Sequence, residues 1–458
     1  MEKRGQAPAL FPLESPRKIK AKKKALETSI HEGAAANLAF SLGNSYVTPF
    51  ALALNANALH IGFLSSFPGL LAPITQIFGN RLMEKQSRKT IVMKFVFLQS
   101  LIWLPIAFLS YLFWKGIMQS YLPWVLIILF TLIVGLGGLS FPAWFSWMGD
   151  IVPEEERARY FAKRTRATTA VGIAAALIGA FILDAFKTKG LALLGFSILF
   201  ALAFTFRFIS FVLFKKQYSP KFKLKKRAQF SFTSFINRYD NFGKFAVYRA
   251  FFIFASMIAA PFFAVYMLEK LNFSYVIFMV VSMSSSIFYL MFAPFAGKFG
   301  DKFGSKRLII IGSIVFIFTP ILWIFFRTPT SLIFGPQLLA GLGNAALILG
   351  FTKFTYDSVS PQHRGICIAY TNILIGIGTF VGAIIGGLII KNLVINTISP
   401  FFIAFGVAAL ARLLSSIYFL PKIKEEKPVR KLPETQVDLT HPLKTIHSEI
   451  IWFKELFK

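Results

Sequence analysis

The chain has 458 residues, 55% of them hydrophobic and 55 of them phenylalanine, and it carries a formal charge of +30 from 50 lysines and arginines against 20 acids. That composition excludes a soluble globular domain, and repeated apolar runs of about 20 residues, each long enough to cross a hydrocarbon core, define a polytopic membrane protein. The single cysteine, Cys367, excludes an internal disulfide and a cysteine-ligated metal cluster.

Residues 1–32 read as a polar tail with Pro8, Pro12 and Pro16 and the lysines Lys18, Lys20, Lys22, Lys23 and Lys24. It is expected to be partly disordered, to lie near an anionic membrane surface, and to be no cleavable signal peptide. Twelve apolar spans are then expected at 33–56, 60–80, 90–113, 122–147, 164–185, 190–214, 243–267, 273–296, 308–326, 331–355, 366–390 and 399–420. The fold class is thus an all-α integral membrane protein. Residues 33–214 hold six spans, a linker occupies 215–242, residues 243–420 hold six more, and 421–458 form a second tail. Aromatic spacing in the linker (Phe230, Phe232, Phe235, Ile236, Tyr239, Phe242) and in the last tail (Leu443, Ile446, Ile450, Phe453, Phe457) predicts two amphipathic membrane-surface helices.

Charge follows the spans. On this topology 41 of the 50 basic residues fall in the tails and in the connections on the side of the two termini. The opposite connections hold Lys115, Lys187, Lys189, Lys270, Arg327 and Lys391, and Arg207, Arg249 and Arg412 lie inside apolar spans. The bias places both termini in the cytoplasm and makes anionic inner-leaflet lipids, rather than nucleic acid, the expected partner of the charge.

The two groups of six spans repeat. Pro49 matches Pro261, a register that sets Asn37 opposite Arg249. The hairpin at 79–89 matches that at 297–307, with Met83 and Gln86 where the second copy has Asp301 and Gly304. Asp150 precedes Arg157 as Asp357 precedes Arg364, and Arg207 and Arg412 each precede a serine by three residues, Ser210 and Ser415. Halves of this kind around a midplane site are the architecture of alternating access.

The second hairpin reads Gly-x-x-x-Asp-Lys-x-Gly-x-Lys-Arg and resembles the loop signature of the major facilitator superfamily, secondary transporters with twelve membrane helices in two pseudo-symmetric six-helix bundles. The resemblance covers 33–420 and implies a carrier in the plasma membrane. It further implies a conformational latch made of Gly297, Asp301, Gly304, Lys306 and Arg307 with Asp150, Arg157, Asp357 and Arg364, closed when the cavity faces outward. From the residues themselves, Gly297 is expected to let helices approach, Gly304 to take a positive φ, and Asp301 to cap a helix N-terminus or pair an arginine. Asp150 and Asp357 read equally as helix-end caps paired locally with Arg157 and Arg364. Glu84 is a stand-in for the acid missing at Met83.

No carboxylate falls in the middle of a predicted span, and Glu32 is expected at the mouth of the first beside His31. Proton coupling loses support on that ground, and a neutral or anionic organic solute fits better than a cation. Substrate-cavity candidates are Asn37, Asn44, Tyr248, Arg249, Asn344, Tyr370 and Asn372. Arg207 and Arg412 read as a repeated structural pairing, and Gly378, Gly382 and Gly386 as a helix-packing stripe. No metal, cofactor or catalytic cluster is expected, and the protein is read as a monomer. The alternatives are a lipid-handling or scramblase-like member of the same fold and, less well supported by five histidines without a paired Asp motif, a polytopic membrane enzyme.

Overall fold

Helices form where the apolar runs lie, because a backbone in hydrocarbon must satisfy its own hydrogen bonds. The computed structural model describes residues 16–153, 156–220, 231–237, 240–393 and 398–427, and among these every regular element is helical. In chain order they are α1 (Pro16–Leu42), α2 (Val47–Ala53), α3 (Ala58–Leu82), α4 (Arg88–Trp114), α5 (Leu122–Ile151), α6 (Arg157–Thr188), α7 (Ala192–Lys216) and α8 (Phe232–Ile236). There follow α9 (Asn241–Met257), α10 (Phe262–Val265), α11 (Tyr275–Phe303), α12 (Ser305–Phe325), α13 (Pro329–Leu332), α14 (Leu338–Ser358), α15 (Pro361–Asn392) and α16 (Pro400–Phe419). Eleven of the membrane-crossing units are long and apolar by composition. The twelfth is the end of α1 joined through a 3-10 turn at Asn44–Tyr46 to α2.

The repeat anticipated from Pro49 and Pro261 is visible as broken helices: α1 breaks before Pro49, and the α9 run breaks at Met257 to resume at Phe262. Proline lacks the N–H that a continuous helix would need at those points. Helix pairing repeats as well. In the first half α1 packs on α6 and α7, α4 on α5 and α7, and α3 on α5; in the second α9 packs on α15 and α16, α12 on α14 and α16, and α11 on α14. The stripe of Gly378, Gly382 and Gly386 lies against the carbonyls of Ala250 and Phe254 on α9 and of Ile258 just after it, where a Cβ would collide. That is the close approach expected of it.

The halves meet at the end away from the basic hairpins and along α3 and α15 as far as Pro73 and Gly376. The largest apolar cluster draws Tyr46, Phe50, Phe196 and Phe200 from the first half and Phe262, Tyr266, Tyr275 and Phe405 from the second, and it lies at the end away from the basic hairpins. At the basic end each half has separate clusters: one around Trp147 and Met83, two around Phe245 and Phe303. Between the halves α3 packs along α15, and α6 along α11. The Ser66 hydroxyl donates to the Phe380 carbonyl at 3.0 Å, and the Phe67 and Phe380 rings stand 5.6 Å apart.

Several expectations need correcting. The first helix starts at Pro16, so Lys18 to Glu32 belong to a helix continuous with the first span rather than to an extended tail. The 297–307 hairpin is nearly all helix, with Gly304 alone between α11 and α12; its φ of +96° is the positive value expected. Gly297 meets nothing within 4 Å of a Cβ position, because the halves are apart at that end, so it mediates no close approach here. In the linker, α8 is five residues long, with Phe235 and Phe242 buried in the second half's own core rather than laid on a membrane surface. Residues 1–15, 221–230, 238–239 and the predicted surface helix at 443–457 lie outside the described residues.

Candidate functional site

A cavity of about 680 Å³ opens into the first half among α1, α4, α5, α6 and α7. In its wall is Glu32, 2% exposed, on the part of α1 that hydropathy alone would leave outside the membrane. Arg164 Nη2 reaches its Oε2 at 3.2 Å, and the Ser210 hydroxyl donates to Oε1 at 2.9 Å. Arg207 in turn donates to Ser210 Oγ from Nη1 at 3.3 Å and to Gln99 Oε1 from Nε at 3.2 Å and Nη2 at 2.5 Å. Gln99 Nε2 closes the chain on the Ile133 carbonyl at 2.6 Å. Arg164 is also held by the Ser29 carbonyl, 3.2 Å from Nε, and lies 4.8 Å from the Trp144 ring centre. Gly33 leaves room for it: a Cβ there would stand 2.5 Å from the Arg164 guanidinium, which would have to shift.

Buried charges persist when they are paired and hydrogen-bonded, which these are. The balance is uneven, however, with two guanidiniums facing one carboxylate. The walls add Phe40 and Phe141, 57% and 51% exposed, together with Trp103 and Trp144. The site therefore combines excess positive charge with aromatic surface.

Of the predicted cavity residues, Asn37 and Asn44 line this space. Tyr248 does not: its hydroxyl pairs with Ser313 at 2.5 Å inside the second half's core. Tyr370 packs beside the rings of Phe232 and Phe235, and Asn344 and Asn372 are half-buried on α14 and α15. Arg249 is half-buried on α9, its guanidinium 5.1 Å from the Phe351 ring centre. Arg207 and Arg412 make the repeated contact expected of them, each reaching from the sixth span of its half onto the third. Arg412 Nη1 donates to the Phe316 carbonyl at 2.5 Å, but Ser415 donates to the Arg412 carbonyl rather than accepting from its guanidinium. Only the first-half copy has an acid nearby and lines a cavity. Sequence reading missed Arg164 and Gln99 and set Glu32 at a mouth; the one available signal was the Glu32 carboxylate itself, sixteen residues into an unbroken helical run from Pro16.

The acids of the proposed latch are partnered within their own half or by the segment that follows it. Asp301, 79% exposed, accepts from Lys353 Nζ at 2.9 Å, neither an arginine nor a helix N-terminus. The N-terminus beside it is taken by Glu425, which accepts from Ser305 N at 3.2 Å, Ser305 Oγ at 2.7 Å and Lys306 N at 2.8 Å. Arg307 reaches back to the Phe303 carbonyl at 3.5 Å. Asp150 pairs with Arg88 at 2.7 Å, and Asp357 pairs with Lys427 at 2.6 Å rather than with Arg364. Both acids sit at helix C-termini, where a carboxylate cannot cap. Arg364 does that work on α14, donating to the Tyr356 and Val359 carbonyls, each at 3.1 Å. The Arg157 side chain lies outside the described residues. Met83 is buried with Trp147, which explains why the first hairpin copy has no acid at that position.

At the opposite end the halves are joined by a residue the sequence did not flag. Asp184, near the end of α6, accepts from Tyr275 N at 2.8 Å and Val276 N at 2.9 Å, the exposed donors of the first turn of α11. Lys187 stands 5.2 Å from the Tyr275 ring centre, and Phe196 meets that ring edge-on at 5.7 Å.

Two repeated helical halves, clasped at one end and separated at the other, with a charged aromatic cavity open in the first, define a multi-pass membrane transporter. The chain belongs to the Major Facilitator Superfamily, whose sequence model matches residues 33–254 and again 245–457. It is 31% identical over 130 residues to multidrug resistance protein 1 of Bacillus subtilis (strain 168), a match covering 28% of this chain and 32% of that protein. It is 29% identical over 128 residues to the riboflavin transporter RibZ of Clostridioides difficile (strain 630), covering 28% and 27%. These matches span only about a third of the curated relatives. In fold it is similar to the nucleoside transporter NupG (TM-score 0.61, 16% identity, 87% of this chain and 99% of that one). It is similar also to a D-xylose–proton symporter (TM-score 0.63, 16% identity, 89% and 98%) and to an inward-facing bacterial homologue of ferroportin (TM-score 0.62, 15% identity, 90% and 100%).

Proposed function

We propose that the protein carries a small organic anion with an aromatic or apolar body across the plasma membrane by alternating access. The observation that carries this reading is the cavity's composition: Arg164 and Arg207 face the single carboxylate of Glu32 among aromatic walls. A low-dielectric site with one surplus positive charge favours an anion over a cation. Relatives named for multidrug resistance and riboflavin support an organic cargo. The positive-inside bias sets the basic end and both termini in the cytoplasm. The closed end then faces outward, and the cavity is in its inward-facing state. The bundles 33–214 and 243–420 rock against each other, linked through 215–242, within a monomer.

The burial of Glu32 removes the ground on which proton coupling was disfavoured, so the test carries that arm too. Purified protein in proteoliposomes is expected to take up aromatic carboxylates saturably and to reject permanently cationic aromatics, measured with and without a pH gradient at fixed membrane potential. Preference for the cations would overturn the reading.

The latch is proposed for the outward-facing state, in which Asp301 exchanges Lys353 for the first half. A pair near a protein surface contributes about 1 kcal/mol or less, and each 1.4 kcal/mol changes a conformer ratio about tenfold. Asp301→Asn is thus expected to slow net transport up to about fivefold, to raise labelling of a cysteine introduced at the basic end, and to leave selectivity unchanged. Altered selectivity with unchanged labelling would place Asp301 in the substrate path instead.

A further inference from the structure

A second cavity, about 420 Å³, lies on the outer surface of the first half between α4 and α7 and is separate from the transport site. Its lining changes character with depth. At the basic end are Ser87, Lys89 and Thr90; below them come Met93, then Phe97 and Phe211. From Ser87 to Phe97 the helical rise is about 15 Å, so the groove runs from headgroup level into the acyl region.

The cations at its mouth are placed by the fold. Lys89 Nζ donates to the Lys215 carbonyl at 2.8 Å and the Gln217 carbonyl at 2.9 Å, which ties it across the end of α7 and leaves one N–H outward. Lys215 is exposed and lies over the Phe211 ring, 4.6 Å from its centre. Lys94, exposed one turn below the mouth, lines the groove with Lys89, whereas Lys215 stands beside it over the Phe211 ring. None of the lining residues is acidic. The floor is a run of rings, Phe97 to Phe211 at 5.1 Å and Phe211 to Phe208 at 5.7 Å, with Phe208 37% exposed.

We propose that this groove is a binding site for an anionic phospholipid, with the phosphodiester held by Lys89, Lys94 and Lys215 and the first part of an acyl chain laid over Phe97 and Phe211. Charge complementarity selects the headgroup: three ammonium groups with no carboxylate among them attract an anionic lipid over a zwitterionic one. The apolar floor selects a lipid over a free phosphate, since an inorganic anion would leave the rings facing hydrocarbon with nothing gained. Lysine stems along the groove wall suit the position, because they bury methylenes while the charge stays at headgroup level. Arg88 and Asp150 do not line the groove; Arg88 is buried toward Ser146 on α5.

The test is native mass spectrometry of the purified chain with dioleoyl phosphatidylglycerol or dioleoyl phosphatidylcholine at equal mole fraction. The wild type is expected to retain phosphatidylglycerol, and Lys94→Gln/Lys215→Gln to retain at least about fivefold less. Lys163→Gln/Lys244→Gln, which removes two exposed lysines elsewhere, is expected to match the wild type. Met93→Trp fills the groove with every lysine kept and is expected to lower retention as well. Equal loss in both double variants, equal retention of phosphatidylcholine, or displacement of the lipid by inorganic phosphate at millimolar concentration would each overturn the proposal.

Discussion

Replacing Asp184 by asparagine is expected to open the outward end of the transporter. Its carboxylate accepts two backbone N–H groups from the first turn of α11 in the other half. The third donor of that turn, Ile277 N, is already served within α11 by the Ser274 side chain at 3.2 Å. Asparagine retains one carbonyl oxygen and loses the charge, leaving a helix N-terminus partly unsatisfied where the dipole is strongest. A hydrogen bond to a charged group contributes about 1.5–3 kcal/mol, so a net loss of about 2 kcal/mol shifts the ratio of inward-facing to outward-facing states about thirtyfold. Because the same residue is free of these partners once the end has opened, the loss falls on one state alone, which is the condition for a population shift. Spin labels at Lys189→Cys and Asn272→Cys in a Cys367→Ser background should report a longer distance in Asp184→Asn by pulsed dipolar spectroscopy. An unchanged distance distribution would show that the apolar cluster, not Asp184, holds the end closed.

The second large effect is a pair of opposite responses to changing the cavity charge. Arg164→Gln leaves one guanidinium against Glu32 and cancels the surplus charge, so affinity for an anionic cargo is expected to fall about ten- to a hundredfold. Glu32→Gln does the opposite: two guanidiniums without a counter-charge bind the anion about tenfold or more tighter and release it more slowly, so that KM and turnover fall together. A neutral isostere of the same cargo should respond weakly to both changes. Breaking a buried pair costs stability, about 3–5 kcal/mol, so the single variants will unfold more readily. The double variant Glu32→Gln/Arg164→Gln has one positive charge, as the wild type has, and is expected to recover affinity in part. Binding by calorimetry and transport in proteoliposomes check both arms. If both single variants weaken the anion equally, the cluster serves the fold and the cargo binds elsewhere.

The spans, the twofold repeat, the packing stripe on α15 and the left-handed Gly304 were all legible in the sequence. Each depends on interactions within a few residues or on a composition that hydrocarbon enforces locally. The sequence also supplied the surplus of basic residues and, through Asn37 and Asn44, part of the cavity wall, while Arg207 read only as a structural pairing. What it could not supply were the partners. Glu32 meets an arginine 132 positions away and a serine 178 away, and a hydropathy window sees only the polar run that precedes it. Asp301 pairs across 52 positions, and the cap expected of it comes from Glu425, 120 positions from Ser305. Electrostatic pairing depends on distance in space, which local spacing does not fix, so the sequence determined that this is a twelve-span carrier with stranded charges, and only the tertiary packing decided which of those charges face each other across the cavity and which merely hold a helix end.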